Sequence, residues 1–94
     1  MQLLYGARFV ADLDAIAAHV RADNPPRAIS FVKELRLICS ETIAANPRIG
    51  RRRPEFGSNR YSFAAHGRTI FYTYDPHQNL IRFDRIIGRQ KPAL

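Results

Sequence analysis

The side chains with chemical potential in this sequence are mostly arginines. Four of them, Arg48, Arg51, Arg52 and Arg53, fall within six positions of the stretch NPRIGRRRPEF, residues 46 to 56, flanked by Pro47 and Pro54 and set around Gly50. Further cations follow at Arg60, Arg68, Arg82, Arg85, Arg89 and Lys91. A guanidinium is permanently charged and carries five donors in a fixed fork, so it suits the holding of carboxylates or phosphates and suits proton transfer poorly. Groups able to ligate a metal or attack a substrate are few. His19, His66 and His77 lie on separate stretches with no metal-ligand spacing, and one cysteine builds no zinc site. Cys39 falls on an apolar stripe, where it reads as a small core hydrophobe and not as a nucleophile. Asp84 stands among the strand arginines and is expected to neutralise Arg82 or Arg85 across a sheet. No cofactor and no metal is expected.

The net charge of +7 is confined to one half of the chain. Residues 1–47 hold five basic and five acidic side chains, so of the 15 basic and 8 acidic residues the other ten and three fall in residues 48–94. An excess clustered in this way favours an anionic partner, whether nucleic acid, a nucleic-acid machine or an acidic protein that covers the patch. The longest apolar runs are far short of the roughly 20 residues a membrane span needs, and MQLLYGARF lacks the pattern of a signal peptide. A single cysteine agrees with a reducing compartment. A cytoplasmic protein is expected.

These residues need elements to position them. At 94 residues the chain is expected to form one domain, 1–94, burying about 60–65% of its unfolded surface. Gln2 to Tyr5 reads as an edge strand. Phe9, Leu13, Ile16, Ala17 and Val20 recur at steps of three and four and predict a helix from Arg8 to about Ala22. Asn24-Pro25-Pro26 supplies a cap and two prolines for a second helix. Its stripe is Ala28, Phe31, Val32, Leu35, Ile38, Cys39 and Ile43, and it should end at Asn46, ahead of Pro47. After the arginine segment the period shortens to two. Residues 60–64, 68–74 and 80–87 predict three strands, joined by His66-Gly67 and by Asp75 to Asn79 into an antiparallel meander. The expected fold is α+β, in the order β-α-α-β-β-β, with one sheet face under the helical hairpin and the other open. Several of Arg60, Arg68, Arg82, Arg85 and Arg89 should line that open face or its rim.

In this order the elements and motifs resemble the RelE/ParE toxin superfamily of bacterial type II toxin–antitoxin systems, and its ParE branch in particular. The residues that carry the resemblance are Asn24-Pro25 with Ala28 and Phe31, the run Asn46 to Glu55 that matches P-x-x-G-R-x-R-P-E, then Arg60, Ile70-Phe71-Tyr72 and Arg85-Ile86-Ile87-Gly88. Membership of the ParE branch implies a toxin that inhibits DNA gyrase, has no catalytic constellation of its own, and is neutralised by an acidic cognate antitoxin that wraps it in a hetero-oligomeric complex. Relatives resembling RelE instead cut ribosome-bound mRNA. Against their pattern, Arg68 takes the place of a phosphate-stabilising arginine, but Ser62 stands where a lysine is expected, and the chain reads Arg89-Gln90-Lys91-Pro92-Ala93-Leu94 past Gly88 without a late Tyr or His. In-line cleavage needs a base for the 2′-hydroxyl and an acid for the leaving oxygen, and arginine is a poor choice for either. Two departures from the ParE pattern lie at the same end, where Ile87 precedes the last glycine and Arg89-Gln90-Lys91 follows it. The ribonuclease and a non-toxic relative that only binds antitoxin are the alternatives.

For the arginine segment two readings stand side by side, a brace at the end of the second helix and a cationic rim that meets a partner. Position suggests that Arg51 and Arg53 lie beside the helices, and that Arg85 and Arg89 lie at the working end.

Overall fold

The computed structural model describes residues 1–88. Arg89 and Lys91 lie outside the described residues. Strand β1 (Gln2–Tyr5) passes through Gly6 into helix α1 (Ala7–Asp23). A single residue, Asn24, then serves two helices: its N–H caps the end of α1 at the Val20 carbonyl, and its side chain accepts from the Arg27 N–H to start α2 (Pro25–Leu37). Pro25 and Pro26 occupy the first turn, where a missing N–H costs nothing.

Past Leu37 the helix continues but widens. Ile38–Ile43 takes π geometry, and the Ala44 N–H reaches back to the Cys39 carbonyl. The buried residues explain the widening. Leu35, Cys39 and Ile43, all fully buried, recur at intervals of four. An α-helix turns 3.6 residues per turn and would rotate such a series off its face by about 40° a step. The wider turn keeps all three against the sheet.

Five strands form one mixed sheet in the order β1-β5-β4-β3-β2. The expected meander is present as β3 (Arg60–Ala65), β4 (Arg68–Asp75) and β5 (Leu80–Gly88). Positive φ at His66 and Gly67 closes the tight β3–β4 turn. Strand β1 pairs in parallel with Leu80 to Phe83 of β5. The sequence reading has one strand too few, because Arg51–Arg52 forms β2, an edge strand paired with Tyr61 and Ser62 of β3. Two residues are too short to display alternation, so a strand of this length leaves no periodic signal.

Both helices pack on one sheet face. Phe9 and Leu13 of α1 and Phe31 and Leu35 of α2 meet Tyr61, Ile70, Tyr72 and Phe83 of the strands in one buried cluster. A β-bulge tunes this arrangement. Phe71 pairs with Arg85 and Tyr72 with Phe83, so Asp84 is the extra residue. Ile81 and Phe83 before the bulge and Ile86 after it therefore all face the helices, although strict alternation would have turned Ile86 outward.

Candidate functional site

Strand alternation sorts the arginines onto two faces. Cross-strand partners share a side of the sheet, and Tyr61, Tyr72 and Phe83 fix the helix-covered side. On the open side the register then aligns Arg51, Ser62, Phe71 and Arg85 in one row and Arg60, Thr73 and Arg82 in the next. Arg52 pairs with Tyr61 and Arg68 follows the parity of Ile70, so both lie on the helix side.

This placement selects among the strand arginines and corrects one expectation. Arg68 is not on the open face; its guanidinium carbon lies 5.4 Å from the ring of Phe31 in α2, and its Nε is buried without a hydrogen-bond partner among the described residues. Arg51 and Arg53 do not lie beside the helices. Odd-numbered positions of this segment point to the open side, and Arg53 stacks near Phe56 (5.5 Å) and Phe71 (5.9 Å) there. Its Nε lies 3.4 Å from Glu55, close enough for charge attraction without hydrogen-bond geometry. Arg48 lies over Tyr74 at 5.1 Å. The four arginines of the opening motif are thus divided, Arg48 and Arg52 to one side of the sheet and Arg51 and Arg53 to the other.

Gly50 is the anchor of that segment. Its N–H donates to the Tyr72 hydroxyl at 3.0 Å, and the hydroxyl donates to the Pro47 carbonyl at 2.8 Å. A Cβ at position 50 would stand 2.7 Å from the Tyr72 oxygen and 2.8 Å from the Ser62 carbonyl, so no larger residue fits without displacement. Burial raises the Tyr72 phenol above its ordinary value, which keeps it a donor.

Two carboxylates occupy the cations at the far end of the open face. Asp84 accepts from Arg82 Nε at 2.7 Å and from the Thr73 hydroxyl at 2.7 Å. Arg85 does not turn to Asp84. It donates through Nε and Nη2 to Asp12 of α1, at 2.7 and 3.1 Å, and Asp12 also accepts the Ile86 N–H at 3.0 Å. Partial burial pushes the Asp12 carboxyl up, but the hydrogen bonds from Arg85 and Ile86 outweigh it and hold the group below the usual carboxylate range. Arg60 has no carboxylate partner among the described residues. It borders a shallow depression of about 280 Å³ whose other walls are Phe56, Phe71, Asp84, Arg85 and Ile87. Sequence reasoning missed Phe56 and Ile87 as parts of this surface; the edge-to-face contact of Phe56 on Phe71, 5.8 Å between centroids, is made by a 3₁₀ turn, Pro54–Phe56, that no periodicity announces.

The histidines do not converge. His66 lies against Phe31, His19 is on α1 and His77 in the β4–β5 turn, and the described residues hold no cluster of ligands for a metal ion. Cys39 is fully buried, and burial pushes its thiol up to about 12, as expected of a core residue. No helix among the described residues is long and apolar enough to cross a membrane.

Residues 3–92 match the family of the ParE toxin of type II toxin–antitoxin systems, parDE. The chain belongs to the ParE toxin family. The fold of this ParE-family toxin agrees with solved structures. A chain of the toxin–antitoxin complex RelBE2 from Mycobacterium tuberculosis is 16% identical and superposes with a TM-score of 0.72, over 96% of this chain and 92% of that one. A chain of the chromosomal ParDE toxin–antitoxin system from P. aeruginosa gives 21% identity and 0.70, over 96% and 97%. The isolated RelE toxin from E. coli gives 14% and 0.63, over 97% and 86%. No curated protein matches this ParE-family chain in sequence.

Proposed function

We propose that this ParE-family toxin inhibits DNA gyrase in the cytoplasm and is neutralised by a cognate acidic antitoxin that covers its cationic half. The observation that carries the choice of gyrase over mRNA is the state of Asp84. A ribonuclease working on the open face needs a group there to take and return protons, and Asp84, the carboxylate that lies among the arginines in the wall of the depression, is already held by Arg82 and Thr73, each at 2.7 Å. Its neighbours Arg60, Arg82 and Arg85 are guanidiniums, which do not exchange protons near neutral pH. The described residues thus equip this face for binding. The antitoxin follows from the family and from the ParDE and RelBE2 complexes among its structural neighbours. The charge of +7 gives an acidic chain a strong long-range attraction to this toxin.

The deciding experiment is a supercoiling assay with purified gyrase, run beside translation with mRNA integrity followed by primer extension. Inhibition of supercoiling, with cleaved DNA trapped and transcripts intact, is the expected result. Intact supercoiling with mRNA cut at ribosome-bound codons would replace this reading with an mRNA interferase.

A further inference from the structure

We propose that the depression on the open sheet face is a docking site for a protein segment that presents an apolar or aromatic anchor beside a carboxylate. This rests on the reading of the chain as a toxin that acts on a protein target. The apolar part of the site is Phe56, Phe71 and Ile87, and two of these are well exposed, Phe56 at 50% and Ile87 at 42%. A cleft of this size, aromatic-walled and rimmed by charge, has the make-up of an interface hot spot.

The charges select the occupant. Of the ionic groups around the depression, Arg85 is tied to Asp12 and Asp84 is tied to Arg82 and Thr73, which leaves Arg60 as the rim cation without a carboxylate among the described residues. One available guanidinium next to an apolar wall matches one carboxylate next to an apolar side chain. A nucleic acid fits less well. Its affinity comes from neutralising several phosphates in series, and here Arg82 and Arg85 already hold carboxylates while Asp84 adds a negative charge to the wall, which leaves Arg60 alone in the depression and Arg51 two strands away from Phe71.

The test uses the full chain with Arg60→Glu at a half-exposed position and Ile87→Glu at an exposed one, and Lys33→Glu on the exposed side of α2 as a control whose charge change of two units matches Arg60→Glu and exceeds Ile87→Glu. Thermal melts establish that each variant folds. In the supercoiling assay the two site variants should need at least tenfold more toxin than wild type, and the control should stay within twofold. A second readout does not depend on gyrase. Amide chemical shifts of labelled wild-type toxin are followed on titration with acetyl-Glu-Phe-Glu-amide, acetyl-Lys-Phe-Lys-amide and uridine 5′-monophosphate. The acidic tripeptide should shift the amides of Arg60, Phe71 and Ile87 at lower concentration than the other two. Site variants as inhibitory as wild type, or a basic tripeptide that binds equally, would overturn the proposal, and preferential binding of the nucleotide would replace it with a nucleic-acid site. Should wild type leave gyrase untouched, the functional reading fails while the titration still decides the site.

Discussion

Asp12 on α1 and Arg85 on β5, 73 positions apart, are joined by two hydrogen bonds of 2.7 and 3.1 Å, and Asp12 takes the backbone N–H of Ile86 at 3.0 Å as well. The location explains the need. Strand β1 accompanies β5 only as far as Phe83, after which the chain turns at Gly6 into α1. From the bulge onward β5 is an edge strand with backbone donors to satisfy, and the first helix supplies the acceptor that β1 no longer does.

Replacing Asp12 with Ala removes all three contacts and leaves the Ile86 N–H without its partner. The expected cost is about 1–2 kcal/mol, kept low because the Arg85 side chain is 35% exposed and partly screened. In a domain of this size that lowers the melting temperature by roughly 5–15 °C. Scanning calorimetry of Asp12→Ala against wild type measures it, and the fall should be larger than for Asp14→Ala, an exposed residue of the same helix.

The same pair sets a pH dependence. The folded Asp12 carboxyl titrates below its unfolded counterpart, so the folded state favours the ionised form. Its contribution is therefore fully present above the unfolded carboxylate value, about 3.9, and is lost as pH falls through the lower folded value. Melting temperatures measured from pH 7 to pH 2.5 should fall more steeply for wild type than for Asp12→Asn, whose amide does not titrate in this window. Parallel curves would show that other carboxylates carry the acid sensitivity.

Gly50 and Tyr72 make a coupled pair. Gly50→Ala presses a methyl group against the Tyr72 hydroxyl and the Ser62 carbonyl, and overpacking of this kind costs about 1–3 kcal/mol. Tyr72→Phe leaves the Pro47 carbonyl and Gly50 N–H without their partner, at about 1–3 kcal/mol. The double variant should cost less than the sum, because Tyr72→Phe removes the nearer of the two clashing oxygens. Urea denaturation of the four proteins supplies the cycle, and strict additivity would mean that the loop moves away from the sheet when Ala is introduced.

How much of this was legible in the sequence depends on the range of each signal. Helix α1, the Asn24-Pro25-Pro26 junction and the meander are written in local periodicity and turn residues, and they stand where the sequence places them. Cys39 in the core follows from the same local rules, and Asp84 does neutralise Arg82, but along their shared strand β5 and not across the sheet. The π turn is a finer case: the interval of four from Leu35 to Ile43 is visible, but its consequence depends on the sheet that demands a straight stripe. What was not legible is the facing of individual arginines. A bulge at Asp84 shifts the parity of β5, and a two-residue strand sets the parity of the arginine segment, so the placement of Arg51 and Arg53 by their position in the loop fails, and which of the strand arginines reach the open face is not readable from spacing. The partnership of Arg85 with Asp12 joins the two ends of the chain, and no pattern within either segment encodes it.

The restraint of Arg82 by Asp84 yields a prediction about selectivity. Asp84 holds Arg82 at 2.7 Å and sits in the wall of the depression, so it both occupies one cation and repels incoming phosphate. Asp84→Asn keeps the shape and the bond with Thr73 while removing the negative charge, which frees Arg82 toward solvent. Affinity for duplex DNA at low salt should rise for this variant. The slope of log K against log salt should steepen by about 0.9, the value for one additional neutralised phosphate. Fluorescence anisotropy with a labelled 20-mer across a series of salt concentrations reads both quantities. A general effect of added charge is separated by Asp23→Asn, which makes the same change of net charge at the end of α1, away from the open face, and should leave the slope alone. If the two variants behave alike, Arg82 is not restrained by its neighbour, and the open face owes its selectivity to shape and not to the Asp84 carboxylate.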